Sequence, residues 1–233
     1  MNALYAISHT APWILAQAAR RHTMQEAQSQ EYAVSRLVAF SDAVYGFAIT
    51  LLITTLSFPD LSPSTSDGQI IRQLLAYLPR FFSYVLSFYI VAVYWVSHHR
   101  AFRYIVKFDN RMLWINLTLL LFIAFLPFPT FLLGTRGDSP VVTALYAVTL
   151  SVISFFSYIL WWYSSYNHRL IPQQLDQKIV IYLSLRALIP LGVFVVSIGL
   201  SFVNPTLAHA SWIAIFFVRA IFLKRYMREY DWV

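Results

Sequence analysis

The chain has 233 residues, 59% of them hydrophobic and only 12% charged, with a formal net charge of +7, whereas globular domains carry about 25% charged residues. That deficit excludes an ordinary soluble domain, and apolar runs long enough to cross a bilayer, which takes roughly 20 helical residues, mark an all-α, multi-pass membrane protein. There is no cysteine, so disulfides, thiolate metal sites and cysteine nucleophiles are excluded.

Residues 1–30 stand apart from the rest of the chain. Ala3 to Ala19 is mildly apolar, and Ala16-Gln17-Ala18 has the small-residue form of a cleavage site. A secretory signal opens with positive charge, yet the first basic residues, Arg20 and Arg21, come after the apolar run. A peripheral or disordered extension is therefore the preferred reading.

Residues 31–233 read as one domain of six membrane helices. The first apolar segment runs from Arg36 to Ser57 and stops at Phe58-Pro59-Asp60. The second, Leu78 to Ser97, has Pro79 at its start, where proline is tolerated. The third, Met112 to Leu133, contains Pro127 and Pro129, which predict a break near its end. Val141–Ser164, Ile179–Phe202 and Leu207–Leu223 complete the set. Basic residues crowd one set of loops (Arg100, Arg103, Lys107, Arg111, Arg169, Lys178) and both ends (Arg20, Arg21, Lys224, Arg225, Arg228). Only Arg72, Arg80 and Arg136 fall on the other side. The asymmetry predicts both termini in the cytoplasm. It also accounts for the positive net charge as a topology signal, with no nucleic-acid partner.

Polar groups inside a membrane helix are costly and mark candidate sites. Asp42 lies about two turns into the first helix, and Arg186 at similar depth in the fifth. A structural pair of Asp42 with Arg36 or Arg186 is preferred to a free carboxylate lining a cation path, because isolated buried carboxylates neutralise. Further along, Phe47, Thr50, Leu51 and Thr54 have helical spacing and share one face. Two readings fit it: a helix contact with back-bonded threonines, or a pore lining with an apolar constriction and a hydroxyl ring. His98 and His168 could form a bis-histidine haem site only at matched depth, and capping roles are preferred. No phosphate loop, zinc-protease motif or triad is present, so no enzyme and no cofactor are expected. The Thr-Val-Gly-Tyr-Gly filter and voltage-sensor arginine repeats are missing too.

Arg36-x-x-x-Phe40-Ser41-Asp42, running into Val44 and Ala48-Ile49-Thr50-Leu51-Leu52, resembles the signature of the transmembrane protein 175 family, the lysosomal potassium channel of animals and its prokaryotic relatives. Trp95-x-x-His98-His99-Arg100-x-Phe102 and Asn116-Leu117 through Leu126-Pro127-Phe128-Pro129-Thr130 resemble family stretches in the second and third helices. The resemblance implies a potassium-selective channel without a pore loop, a homotetramer in the cell (inner) membrane, with the first helix of each subunit around a central pore. It implies an apolar constriction at Phe47, where the family usually has Ile or Leu. Thr50 would set potassium preference, with Leu51 and Thr54 as further lining. Arg36, Phe40, Ser41 and Asp42 would join Trp95, His98 and Asn116 in a structural motif network. The competing reading is a proton- or cation-coupled secondary transporter using Asp42, His98 and His99. It lacks the two broken-helix halves common in that class.

Overall fold

The computed structural model describes residues 2–56, 62–213 and 215. Among the described residues every regular element is helical. Helix α1 (Asn2–Leu51) tightens into a 3-10 turn at Leu52–Leu56. Next come α2 (Asp67–Ala76), α3 (Leu78–Phe102), α4 (Asn110–Phe125), α5 (Pro127–Arg136), α6 (Pro140–Ser165) and α7 (Gln177–Val203). Residues 205–213 begin a further helix, α8.

Among the described residues, five stretches are long and apolar enough to cross a membrane: Ala16–Leu56, Leu78–Phe102, Asn110–Arg136, Pro140–His168 and Gln177–Val203. The sixth predicted segment, Leu207–Leu223, lies mostly outside the described residues, and the basic cluster after it lies wholly outside them. The predicted break in the third segment falls at Leu126, where α4 gives way to α5. Pro127 has no N–H to continue the ladder. Residues 2–30 are helical and run into the first span without interruption. At 1.5 Å per residue the 50-residue α1 is about 75 Å long, more than twice a bilayer core of about 30 Å.

Caps fix where the spans start. The Asp109 carboxylate accepts from Met112 N–H at 2.8 Å and Asp176 from Lys178 N–H at 2.9 Å, as N-cap residues do. Asp109 also accepts the Tyr163 hydroxyl at 2.6 Å and lies 3.7 Å from the Arg169 guanidinium. These bonds join the α3–α4 loop to the end of α6. Left-handed Asn167 and His168 (φ 50 and 51) stop that helix. Gln30 Oε1 accepts the Phe108 N–H at 2.8 Å and so ties the extension to the same loop. The short α2, which hydropathy does not reveal, opens with Ser66 N–H donating to Gln69 Oε1 at 3.0 Å.

Helices α6 and α7 pair along their lengths, and α1 packs on α3 and α4. Helix α5 approaches α3 through Gly134, where an added Cβ would lie 2.9 Å from the Arg80 Cα. Backbone cannot yield as a side-chain tip can. Gly134→Ala is therefore expected to cost about 1–3 kcal/mol, seen as a lower unfolding temperature of the detergent-purified protein.

Candidate functional site

Two apolar clusters fill the bundle. One gathers Tyr45, Leu52, Val91, Ile123 and Leu150; the other gathers Leu37, Phe102, Met112, Trp161 and Leu183. Along α1, α3, α4, α6 and α7 the gap between them is occupied by polar residues: Ser41, His98, Asn116, Ser157 and Arg186. This layer holds a cavity of about 50 Å³ bordered by Ser97, His98, Ser157 and Arg186.

Three members of the layer form a chain of bonds. Ser41 Oγ donates to the Leu37 carbonyl at 2.8 Å, and Asn116 Nδ2 donates to Ser41 Oγ at 3.0 Å. His98 Nε2 lies 2.8 Å from Asn116 Oδ1. An amide oxygen only accepts, so Nε2 carries the proton. Ser41, His98 and Asn116 are all buried, and Phe102 stacks on the imidazole at a centroid distance of 4.3 Å. At the edge of the layer, half-buried Asp42 accepts the Trp95 indole N–H at 2.8 Å.

The sequence-based pairing of Asp42 with Arg36 or Arg186 is corrected here. Among the described residues no cation lies within ion-pair distance of Asp42, whose partner is an indole. The reasons are geometric and electrostatic. Six residues of helix separate Arg36 and Asp42 by about 120° around the axis. An indole N–H satisfies a carboxylate oxygen without bringing in a second charge to desolvate. Arg36 and Phe40 also lie apart from the hydrogen-bonded group: both are exposed, and Arg36 rests 5.9 Å from the ring centroid of its own Tyr32.

The remaining face of α1 has no partner within the described residues of the subunit. Val34, Leu37, Ser41, Tyr45, Ala48, Leu52 and Thr55 are buried, while Arg36, Phe40, Ala43, Phe47, Thr50 and Thr54 are exposed. Phe47 is 65% exposed. Thr50 Oγ1 donates to the Phe47 carbonyl at 2.8 Å, and Thr54 Oγ1 to the Leu51 carbonyl at 2.7 Å. With its proton turned back to the helix, each hydroxyl presents only lone pairs outward, a donor set suited to a cation. Leu51 is half-buried. The 3-10 turn advances each residue by about 120°, so Ile53 and Thr54 both swing onto the exposed side.

Other intramembrane hydroxyls are not singled out by sequence reasoning. Ser87 bonds Tyr146 at 2.8 Å and receives Thr130 at 2.9 Å, and Trp212 donates to Ser197 at 2.6 Å. Their signal is a lone hydroxyl on an apolar helix, a common interhelical contact.

Known proteins are similar to this chain in sequence and in fold. Residues 36–127 match the family model described as endosomal/lysosomal potassium channel TMEM175. A potassium channel of Streptomyces collinus is 32% identical over 181 residues, 76% of this chain and 86% of that protein. The crystal structure of a lysosomal potassium-selective channel TMEM175 homolog from Chamaesiphon minutus is similar at a TM-score of 0.70 and 26% identity, over 82% of this chain and 98% of that one. The human endosomal/lysosomal proton channel TMEM175 is 30% identical over 139 residues, 59% of this chain and 27% of that protein. A bacterial relative this similar over most of its length, together with a solved homolog matched almost end to end, establishes that the chain belongs to the TMEM175 family, whose members are ion channels and not enzymes.

Proposed function

We propose that the chain is a potassium-selective cation channel of the cell membrane, with six spans and both termini in the cytoplasm. Four copies surround an axis lined by α1. The observation that carries this is the exposed face of α1, without a partner among the described residues, on which Phe47, Thr50 and Thr54 stand together with the two threonine hydroxyl protons turned back to the helix. In a tetramer the four Phe47 rings form an apolar constriction that closes by excluding water. The four Thr50 oxygens form a ring for a partly hydrated potassium ion, with Leu51 and Thr54 beyond it. Ser41, Asp42, Trp95, His98 and Asn116 hold α1 against α3 and α4 so that this face keeps its direction. The names of the Streptomyces and Chamaesiphon relatives support potassium as the permeant ion.

The test is potassium flux into liposomes with no gradient of a second ion: passive flux is the expected result, and a requirement for a counter-gradient is the result of a coupled carrier. The name of the human relative, a proton channel, favours proton permeation as a second reading, which a pH-sensing dye inside the same liposomes reports. Thr50→Ala is expected to shift the reversal potential in mixed potassium and sodium toward non-selectivity, a several-fold loss of preference. One lost ligand-field contact per subunit at about 0.5–1.5 kcal/mol is enough for that. An unaltered reversal potential removes Thr50 from the selectivity step.

A further inference from the structure

We infer that the cavity in the polar layer is a hydration site, whose ordered water donates to His98 Nδ1 and so carries the chain of bonds from Ser41 on to α6 and α7. The cavity lies inside one subunit, between α3, α4, α6 and α7. Leu119, Leu160, Trp161, Leu183 and Pro190 wall it, and all are buried. The state of His98 follows from its neighbours. Ser41 Oγ turns its proton to the Leu37 carbonyl, so toward Asn116 it can only accept. The Asn116 amide therefore presents Nδ2 to Ser41 and Oδ1 to His98, and the imidazole proton sits on Nε2. That leaves Nδ1 with a bare lone pair. His98 is 5% exposed, and its Nδ1 has no partner among the described residues. Buried polar atoms in native structures pair with protein or with ordered water, which points to water here.

The cavity has the room and the chemistry for it. Its volume of about 50 Å³ is several times the roughly 10–15 Å³ that one water needs. The imidazole borders it together with the Ser157 hydroxyl and the Arg186 guanidinium: an acceptor, a group that plays both parts, and a donor. A buried water takes roughly two to four such partners, whereas cavities that stay dry are apolar. Among the described residues no carboxylate borders the cavity, so a cation would find no counter-charge beside Arg186. A neutral molecule that both donates and accepts suits His98 and Arg186 together. Helix α1 packs on α3 and α4. The water extends that brace to the α6–α7 pair, and the direction of the exposed face of α1 is then set by four helices instead of two.

Radiolytic hydroxyl labelling of the full, detergent-purified chain tests this, because an X-ray pulse turns bound water into radicals that oxidise the side chains beside it. Leu160 and Leu150 both lie on α6 and are 2% and 0% exposed, but of the two only Leu160 borders the cavity. Trp161 and Met112 share one apolar cluster and differ in the same way. Leu160 should be oxidised several-fold more than Leu150, and Trp161 more than Met112. Ala187→Leu, which places a larger side chain at the cavity wall, should abolish both differences. In nitrogen NMR spectra of isotope-labelled histidines, the Nδ1 signal that disappears in His98→Leu should stand at a hydrogen-bonded position in the unsubstituted chain. It should move to that of a free acceptor in Ala187→Leu. Ser157→Val, close in volume and without the hydroxyl, makes the same comparison if Ala187→Leu does not fold. Equal oxidation of Leu160 and Leu150, with Nδ1 at the free-acceptor position, shows a dry cavity and overturns the inference. Excess oxidation that survives both substitutions places the water elsewhere and overturns it too.

Discussion

Phe47→Asn is expected to leave a folded, assembled channel that conducts when the original is closed. The ring is 65% exposed in the subunit, so its replacement removes little packing from the core. What it does remove, in the proposed tetramer, is four apolar surfaces facing one another across the axis. A closed apolar constriction is held by the cost of wetting it, and burying one phenylalanine is worth about 1.5–3 kcal/mol. Because about 1.4 kcal/mol is a tenfold change in an equilibrium, loss of even a fraction of four such terms should raise basal current by about tenfold or more. Stability and oligomeric state, monitored by thermal unfolding and size-exclusion chromatography, should stay close to those of the unsubstituted protein. Phe47→Leu, which keeps an apolar but smaller group, should restore closure and widen the open pore. Unchanged basal current in Phe47→Asn places the constriction elsewhere.

Much of this face was legible in the sequence because helical spacing is a strong signal once a segment is known to be a helix. Phe47, Thr50 and Thr54 stand together as their spacing implies. Leu51 shows the limit. Its spacing puts it on the same face, yet it is half-buried, because it stands about 40° from Phe47 toward the buried line of Ala48 and Leu52; one residue later the helix tightens to a 3-10 turn. Ideal α-helical angles misplace the residues beyond that point, and Ile53 joins the exposed side although α-helical spacing does not put it there. The polar layer was legible only in part. The rare charge of Asp42 drew attention to itself and suggested a cationic partner. The actual donor, Trp95, is an aromatic of the kind normally counted as lipid-facing, and only the family resemblance put it in one network with Asp42. Nothing in the spacing of α1 alone says that Arg36 and Asp42 serve different faces until the helix is projected: six residues is a third of a turn out of phase. The interhelical pairs Ser87–Tyr146 and Ser197–Trp212 stayed hidden for another reason, since each depends on which helices are neighbours.

Asn116→Leu is expected to be among the most destabilising single substitutions in the bundle, although it removes no apolar contact. Asn116 is fully buried and joins His98 to Ser41. Leucine of similar size leaves the His98 Nε2 proton without an acceptor inside an apolar layer. His98 Nδ1 already has no partner among the described residues, so the ring would lose its only recorded hydrogen bond. An orphaned buried donor costs about 1–3 kcal/mol, or a drop of roughly 5 °C in unfolding temperature for a chain of this size. Ser41 is less affected because its hydroxyl already donates to the Leu37 carbonyl at 2.8 Å. The discriminating measurement is a cycle with His98→Leu. Replacing both partners by apolar groups removes the orphan as well as the bond, which is close to neutral in general. The double variant should therefore be more stable than the two single effects predict together, by about 1 kcal/mol or more. Strict additivity would mean that the two side chains are packed near each other without depending on each other. Asp42→Asn supplies the contrast: its amide oxygen still accepts the Trp95 indole, so the loss there should be smaller. The order Asn116→Leu, then Asp42→Asn, then Phe47→Asn in decreasing thermal cost, and the reverse order in basal current, separates the residues that hold α1 from those that meet the ion.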